Sequence, residues 1–262
     1  MKTVRNESRQ GAERAYGAIA SIYDDFTAHH DYGLWLGNLL PRIESHGIGG
    51  RRLLDVACGT GKSFIPLLED GWEVTACDVS AAMVEIAREK VGGEAELVVA
   101  DMRELPVFGE FDLIWCLDDA VNYLLEREEL EQALAAMGRN LAPQGLLAFD
   151  VNTLASYRTF FAEGVTVEHG GRRMTWCGHG SPEQPAGTIF EASLTTEGAD
   201  EISVHRSRHY PEAEVLAALE AAGLEAVDVF GHDHAVIPEQ PLDEIRHTKA
   251  VYVARTARGA GA

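Results

Sequence analysis

The chain has 262 residues, 46% of them hydrophobic, and its 42 acidic and 22 basic residues give a net charge of -20. This length and apolar content suit one large domain with a modest insertion. A surface this negative repels phosphate backbones and anionic membranes, so nucleic-acid and membrane partners are disfavoured.

No run reaches the roughly 20 apolar residues of a membrane helix, and the first residues lack the apolar core of a secretory signal. We therefore expect a cytoplasmic protein. The four cysteines have no CxxC spacing and are expected to be small buried residues in a reducing compartment. The densest histidine pairs have no third ligand nearby in sequence, so no metal site is expected.

The N-terminal part is predicted to be helical. Residues 14–46 carry aromatic and aliphatic side chains at helical spacing, with a break near Tyr32. Strands and helices then alternate, which predicts a parallel sheet with helices on both faces. The predicted strands are 53–57, 72–77, 96–100, 111–117 and 146–151. The predicted helices between them are 62–70, 81–90 and 126–141, with Ser80 as an N-cap.

After residue 152 the pattern becomes that of an antiparallel sheet. Alternating apolar and polar residues predict strands at 165–169, 172–177, 188–195 and 201–210. A helix at 212–222 and strands at 226–230 and 250–254 follow. The predicted organisation is a helical cap (1–46), an α/β core (47–154 and 211–256) and an inserted antiparallel lid (155–210).

The turn at residues 58–61 contains two glycines between a predicted strand and a helix, so the backbone can approach a ligand closely there. A P-loop matches the Gly-Lys-Ser of residues 61–63, but it needs a glycine where this chain has Val56. A dinucleotide turn needs a third glycine where this chain has Phe64. Neither alternative is favoured.

S-adenosylmethionine, which has no phosphate, fits the residues better. Asp78 follows the second predicted strand, where a carboxylate can accept two charge-assisted hydrogen bonds from ribose hydroxyls. Asp101 follows the third strand and can reach the adenine amine. Together with the glycine turn, these acids lie at successive strand ends on the carboxyl edge of one sheet, where doubly wound sheets bind ligands.

Residues 53–152 resemble a class I S-adenosylmethionine-dependent methyltransferase. The similar motifs are DVACGTG at 55–61, Asp78-Val79-Ser80 with Met83, Asp101-Met102, and LAPQGL at 141–146. Ala57 and Gln144 stand where the family usually has glycine.

The resemblance implies a Rossmann-like doubly wound α/β fold with a seven-stranded sheet in the order 3-2-1-4-5-7-6 and an antiparallel last strand. It implies S-adenosyl-L-methionine as cofactor and S-adenosyl-L-homocysteine as product. The cofactor-binding residues expected from it are Tyr23, Asp55, Ala57, Gly59, Gly61, Asp78, Val79, Met83, Asp101, Met102 and Leu117.

Two residues are candidates for a catalytic role. Tyr23 lies in a Tyr-Asp segment that resembles the helix folded over the cofactor in small-molecule methyltransferases. Asp118 follows the fourth strand, where the family places residues beside the reacting methyl group, and an acid there can position an amine or accept its proton. Alignment and desolvation supply most of the rate enhancement in such a displacement, so no conspicuous catalytic set is required.

The inserted segment resembles the small lid of the glycine and amino-sugar N-methyltransferase groups. This indicates methyl transfer to a nitrogen or oxygen of a small molecule, and natural-product intermediates are among the candidates. Two alternatives remain: an RNA or protein methyltransferase, and a non-catalytic S-adenosylmethionine-binding module.

Overall fold

The computed structural model describes residues 2–200, 202–233 and 236–257. Its principal element is a seven-stranded sheet in the order β10-β11-β5-β4-β1-β2-β3. The strands are β1 (Arg52–Val56), β2 (Glu73–Asp78), β3 (Glu96–Val99), β4 (Phe111–Cys116), β5 (Leu141–Asn152), β10 (Leu224–His232) and β11 (Lys249–Thr256).

The pairing confirms the expected topology. Strands β1 to β5 pair in parallel, and β11 lies antiparallel between β5 and β10. When only the strands of this sheet are numbered in chain order, β10 and β11 become strands 6 and 7, and the order is the predicted 3-2-1-4-5-7-6. The carboxyl ends of the parallel strands therefore meet at one edge of the sheet.

The helices are α1 (Lys2–Ile19), α2 (Tyr23–Phe26), α3 (Tyr32–Glu44), α4 (Ile65–Glu69), α5 (Ala81–Val91), α6 (Arg127–Gly138), α7 (Leu154–Thr159) and α8 (Glu212–Ala221). Ser80 caps α5 as predicted, since its Oγ accepts a hydrogen bond from the Met83 N–H at 3.4 Å. The helix predicted from residue 62 begins only at Ile65, because residues 61–64 still belong to the turn, and Pro66 suits its first turn.

The sheet is buried on both faces, as its continuous apolar strands predict. Side chains alternate between two core clusters: on β1, Leu54 packs into one cluster and Leu53 into the other. Helix α3 is fastened to β10 by an ion pair in which Arg42 Nε lies 2.8 Å from Asp228 Oδ2. His46 Nε2 lies 3.0 Å from the same oxygen.

A second, antiparallel sheet follows β5 in the chain. It consists of β6 (Gly164–His169), β7 (Arg172–Gly178), β8 (Ile189–Thr196) and β9 (Ile202–Arg208), and we call it the lid sheet. A third core cluster joins it to the N-terminal helices. The Ser203 hydroxyl of β9 also donates a hydrogen bond to the Ala15 carbonyl of α1 at 2.8 Å. The domain boundaries at 46, 154 and 210 remain predictions.

Three cysteines are buried as predicted, but the prediction is wrong for Cys177, whose side chain is exposed on β7. Alternate side chains of this strand point away from the core, and Cys177 lies on that outer face. Among the described helices, none has both the length and the apolar character required to traverse a bilayer.

The contact between the lid sheet and the segment that follows α7 can be tested at Gly178. A Cβ on Gly178 would lie 2.2 Å from the backbone carbonyl of Phe161, so Gly178→Ala should lower the free energy of unfolding by about 1–3 kcal/mol. Gly37→Ala is the control, because its Cβ meets nothing within 4 Å in α3 and should raise stability by about 0.5–1 kcal/mol. Urea titration followed by circular dichroism measures both. Equal midpoints for the two variants would contradict this packing.

Candidate active site

The glycine turn after β1 adopts backbone conformations that suit small residues. Ala57, Gly59 and Gly61 have φ angles of 62°, 53° and 93°, in the left-handed region. The turn is closed by a hydrogen bond from the Gly61 N–H to the Cys58 carbonyl at 2.9 Å. Ala57 adopts this conformation at a steric cost that glycine lacks. The result is a half-buried turn in which Ala57 and Gly59 face the cavity with at most a methyl group in front of their backbone.

Asp78, at the end of β2, supports this turn from the neighbouring strand. Its Oδ2 accepts a hydrogen bond from the Gly59 N–H at 2.9 Å, and its Oδ1 accepts one from the Ser80 N–H at 2.8 Å. Burial raises the pKa of the carboxyl, and the backbone donors act in the opposite direction. Each oxygen keeps a further lone pair that can accept a hydrogen bond from a ligand.

Asp55 and Gly61 lie behind the turn. Asp55 Oδ2 accepts a hydrogen bond from the Ser63 hydroxyl at 2.5 Å. Burial raises the pKa of Asp55 to about 7, although Ser63 and Trp115 lower it. A Cβ on Gly61 would lie 3.1 Å from the Phe64 ring. Asp55 and Gly61 both shape the turn, and neither lines the cavities that lie in front of it at the carboxyl edge of the sheet.

Two adjoining cavities lie in front of the turn, with free volumes of about 680 Å³ and about 400 Å³. Their walls share Ala12, Ala57, Val79, Met102, Ala120 and Tyr123. The larger cavity is also lined by Tyr16, Tyr23, Tyr32, Cys58, Gly59, Thr60, Lys62, Ser63, Asp78, Leu117 and Asp118. The two form one elongated site along the carboxyl edge of the sheet.

Asp101 lies in the wall of the smaller cavity and is held by Arg103. Its Oδ1 accepts hydrogen bonds from the Arg103 N–H and Nε at 3.0 and 2.9 Å, and its Oδ2 accepts one from Nη2 at 2.7 Å. Arg103 also pairs with the buried Glu129. Burial raises the pKa of Asp101, but Arg103 lowers it by more than burial raises it. The net shift is downward, and the carboxylate stays charged.

Asp118 lies at the opposite end, in the larger cavity. Its Oδ2 accepts hydrogen bonds from the Tyr32 hydroxyl at 2.8 Å and from the Tyr23 hydroxyl at 3.3 Å. Asp118 and Asp119 both have left-handed φ angles, 62° and 54°. Their backbone N–H groups donate to the two oxygens of Asp150, at 2.6 and 2.9 Å. Asp150 thus holds a strained turn that presents Asp118 to the cavity.

Lys249 of β11 completes this acidic cluster. Its Nζ pairs with Asp119 Oδ1, lies 3.0 Å from Asp150 Oδ2 and lies 3.7 Å from Asp118 Oδ1. Burial raises the pKa of Asp118, but Lys249, His30 and the two tyrosines reverse this and leave it lowered. Burial raises the pKa of Asp119 to about 7 despite Lys249. Asp118 is therefore the carboxylate of this pair that stays ionised.

The N-terminal segment is tied across the glycine turn. The Thr60 hydroxyl donates a hydrogen bond to Asp24 Oδ1 at 2.6 Å, and Lys90 Nζ lies 2.6 Å from Asp24 Oδ2. Lys62 Nζ donates to the carbonyl of Thr27 at 3.0 Å and to its hydroxyl at 2.8 Å. These contacts place Tyr23 over the cavity.

The lid sheet reaches the cavity through His205. His205 Nδ1 lies 2.8 Å from the Tyr123 hydroxyl, and the Tyr16 ring packs edge-on against both side chains. Burial lowers the pKa of His205 to about 4, so the ring is neutral at physiological pH. One wall of the cavity therefore rests on a neutral polar contact to the lid sheet.

Most residues predicted for the site lie together at this edge. Tyr23, Ala57, Gly59, Asp78, Val79, Met102, Leu117 and Asp118 line the larger cavity, and Asp101 lines the smaller one. The side chain of Met83 is buried in the third core cluster, and Met83, like Asp55 and Gly61, lines neither cavity. The cofactor contacts of these three residues remain predictions.

The sequence interpretation missed several residues of the site. Tyr16 lies in the helical apolar pattern of residues 14–46 and Tyr32 lies at its break, but nothing local marked their hydroxyl or ring contacts. Asp150 could have been found as an acid near the end of the fifth strand. Lys249 had no local signal, since its partner Asp119 lies 130 residues away.

The charge state of Asp55 gives a test by pH. Because its pKa is raised in the folded state, the protonated form adds stability at low pH that is lost as the pH rises through about 7. Asp55→Asn should therefore gain stability relative to the parent between pH 4 and pH 8, by on the order of 4 kcal/mol at most. Chemical denaturation across this range measures the difference. A constant difference at all pH values would show that Asp55 titrates normally.

A family model described as "Methyltransferase domain" matches residues 53–145. A dTDP-3-amino-3,6-dideoxy-alpha-D-glucopyranose N,N-dimethyltransferase from Streptomyces fradiae is 31% identical over 218 residues, covering 79% of this chain and 84% of that protein. The putative methyltransferase YqeM of Bacillus subtilis is 36% identical over 156 residues. That match covers 58% of this chain and 62% of YqeM, so less than two thirds of that relative is spanned.

Solved structures give the same result. The sugar N-methyltransferase KedS8 from Streptoalloteichus superposes with a TM-score of 0.68 at 28% identity, over 89% of this chain and 92% of that one. The methyltransferase CcbJ from Streptomyces caelestis superposes with a TM-score of 0.75 over 94% and 99% of the two chains, and at 22% identity it shows the shared fold. The chain therefore belongs to the S-adenosylmethionine-dependent methyltransferases.

Proposed function

We propose that this protein transfers the methyl group of S-adenosylmethionine to the nitrogen of a small-molecule amine. The observation that carries the proposal is the position of the Asp118 carboxylate. It lies with Tyr23 and Tyr32 at one end of a continuous site that begins at Asp101 and passes the glycine turn.

The cavity walls fit the cofactor. Asp78 keeps one free lone pair on each oxygen, which suits the two hydroxyls of a ribose. The apolar surfaces of Val79, Met102 and Leu124 beside Asp101 suit a flat base that carries an amine. The bare backbone of the glycine turn leaves room for the amino-acid end. When bound, the cofactor supplies a methyl group activated by a sulfonium.

The opposite end suits an amine better than a hydroxyl. The Tyr23 and Tyr32 hydroxyls donate their hydrogens to Asp118. The lone pairs that the tyrosine and carboxylate oxygens present to the cavity are therefore hydrogen-bond acceptors. An ionised carboxylate binds a neutral amine through its N–H donors. These hydrogen bonds orient the nitrogen lone pair, and the carboxylate stabilises the positive charge that the nitrogen gains as it takes the methyl group from sulfur. The surrounding aromatic rings limit access of water.

The activities for which the relatives are named support a nitrogen acceptor. The Streptomyces fradiae relative acts on a 3-amino sugar. A relative from Saccharopolyspora spinosa, 27% identical over 213 residues, acts on a 4-amino sugar. Both proteins are named as N,N-dimethyltransferases.

The proposal is tested by methyl transfer from labelled S-adenosylmethionine to matched pairs of acceptors, each pair an amino sugar and the same sugar with a hydroxyl in place of the amine. We expect label in the amino compounds only. The same incubation with a cell extract, divided into small-molecule and acid-precipitable fractions, tests for macromolecular substrates. Label in the hydroxyl compounds or in the precipitate would overturn the proposal, as would the absence of transfer to any acceptor.

The proposed cofactor site is tested separately by Asp78→Asn. The variant loses the charge that strengthens two hydrogen bonds to a ribose, so the dissociation constant for S-adenosylmethionine should rise at least about tenfold. Titration calorimetry measures it. Asp70→Asn is the matched control, because Asp70 is an exposed surface acid paired with Arg51. Unchanged affinity in a folded Asp78→Asn variant would refute the assignment.

A further inference from the structure

We propose that Lys249 is a positioning residue, which holds the Asp118–Asp119 turn against Asp150 and keeps the Asp118 carboxylate in its anionic form at the acceptor end of the cavity. This inference rests on the proposed function, because it gives Asp118 the task of binding an amine. Lys249 does not line the cavity itself and would act through the carboxylates.

The turn needs such a support because two consecutive non-glycine residues have left-handed backbone conformations. Each costs on the order of 1 kcal/mol or more and persists only where surrounding contacts enforce it. The Asp150 carboxylate supplies those contacts through the N–H groups of Asp118 and Asp119. Asp150 is fully buried, and a buried carboxylate requires a charged partner. Lys249 is that partner, with its Nζ 3.0 Å from Asp150 Oδ2.

The sheet determines where the Lys249 ammonium lies. Lys249 is the first residue of β11, opposite Asn152 of β5 on one side and His232 of β10 on the other. Its side chain is only 15% exposed. A strand in the interior of the sheet therefore holds the Lys249 ammonium at the cluster.

The electrostatics of the cluster give Lys249 a second effect. Three carboxylates converge there, and without a cation they could not all remain ionised. The titratable groups around Asp118 are Tyr23 of α2, Tyr32 of α3, His30 of the loop before α3, Lys62 of the glycine turn, Tyr123, Asp119, Asp150 and Lys249. Of these, Lys249 has the largest lowering effect on the pKa of Asp118. Burial would otherwise raise that pKa and weaken the charge offered to an amine.

The two oxygens of Asp118 divide these roles. Oδ2 faces the tyrosine hydroxyls in the cavity, whereas Oδ1 faces Lys249 at 3.7 Å. A ligand at Oδ2 therefore leaves the contact with Lys249 in place. Lys249 can therefore lower the pKa of Asp118 at the acceptor end while lying outside the cavity.

The test compares Lys249→Met, Lys249→Arg and Arg255→Met, with the amino sugar that gives the fastest turnover in the acceptor screen as probe. Arg255 lies on the same strand, paired with Glu225 away from the cavity, and is the matched control. Lys249→Met should raise KM for the amine at least about tenfold and lower kcat by a smaller factor. Lys249→Arg should restore most of the affinity. The dissociation constant for S-adenosylmethionine should stay within about twofold in all three variants.

A Lys249→Met variant with an unchanged KM would overturn the inference, as would a uniform loss of cofactor affinity. If Lys249→Met does not fold, Lys249→Gln decides the question. Its amide keeps a hydrogen-bond donor at the cluster but removes the positive charge, so KM for the amine should still rise, and an unchanged KM would refute the proposal.

The carboxyl pKa of Asp118 can also be read directly by carbon-13 NMR, without any acceptor. Lys249→Arg should leave this pKa low, whereas Lys249→Met should raise it. This measurement separates the two proposals: if the parent protein methylates no amine, the proposed function fails, while the NMR titration still tests the link between Lys249 and Asp118.

Discussion

The parallel direction of strands β2, β1, β4 and β5 is the constraint on which the site depends. Because these strands run in one direction, the residues that follow them all emerge at one edge of the sheet. The glycine turn, Asp78 and Asp118 come from three different strands and meet there without any long side chain having to reach across. Antiparallel pairing would have sent alternate strand ends to opposite edges.

Burial of charge explains much of what surrounds that edge. Asp101 is paired with Arg103, and Asp150 is paired with Lys249, in each case with a cation that is itself largely buried. Such pairs contribute little net stability, since desolvation offsets their attraction. Their effect is to fix the orientation and the ionisation of the carboxylates. The two ends of the site are thus held by separate ion pairs, which is consistent with two different ligand groups.

Backbone strain is concentrated at the same edge. Of the four described non-glycine residues with positive φ, Ala57, Asp118 and Asp119 flank the cavity. The strain is supported by the sheet below and by the Asp150 carboxylate. The N-terminal segment and the lid sheet, in contrast, reach the cavity through hydroxyl and ring contacts such as those of Tyr23 and His205. The sheet edge is therefore preorganised for a ligand.

The strand order followed from the resemblance of local motifs to the methyltransferase family, and the cofactor from the same motifs. The carboxylates that follow β2, β3 and β4 are encoded locally, each by a strand and the turn after it. The sequence could not fix the direction of the Met83 side chain, since a methionine on the first turn of a helix can face a ligand or the core, and packing decides between them. Lys249, Arg103 and Tyr32 acquired their places in the site only in the tertiary structure. Their contacts join elements distant in the sequence or depend on side-chain direction, and neither is visible in a local pattern.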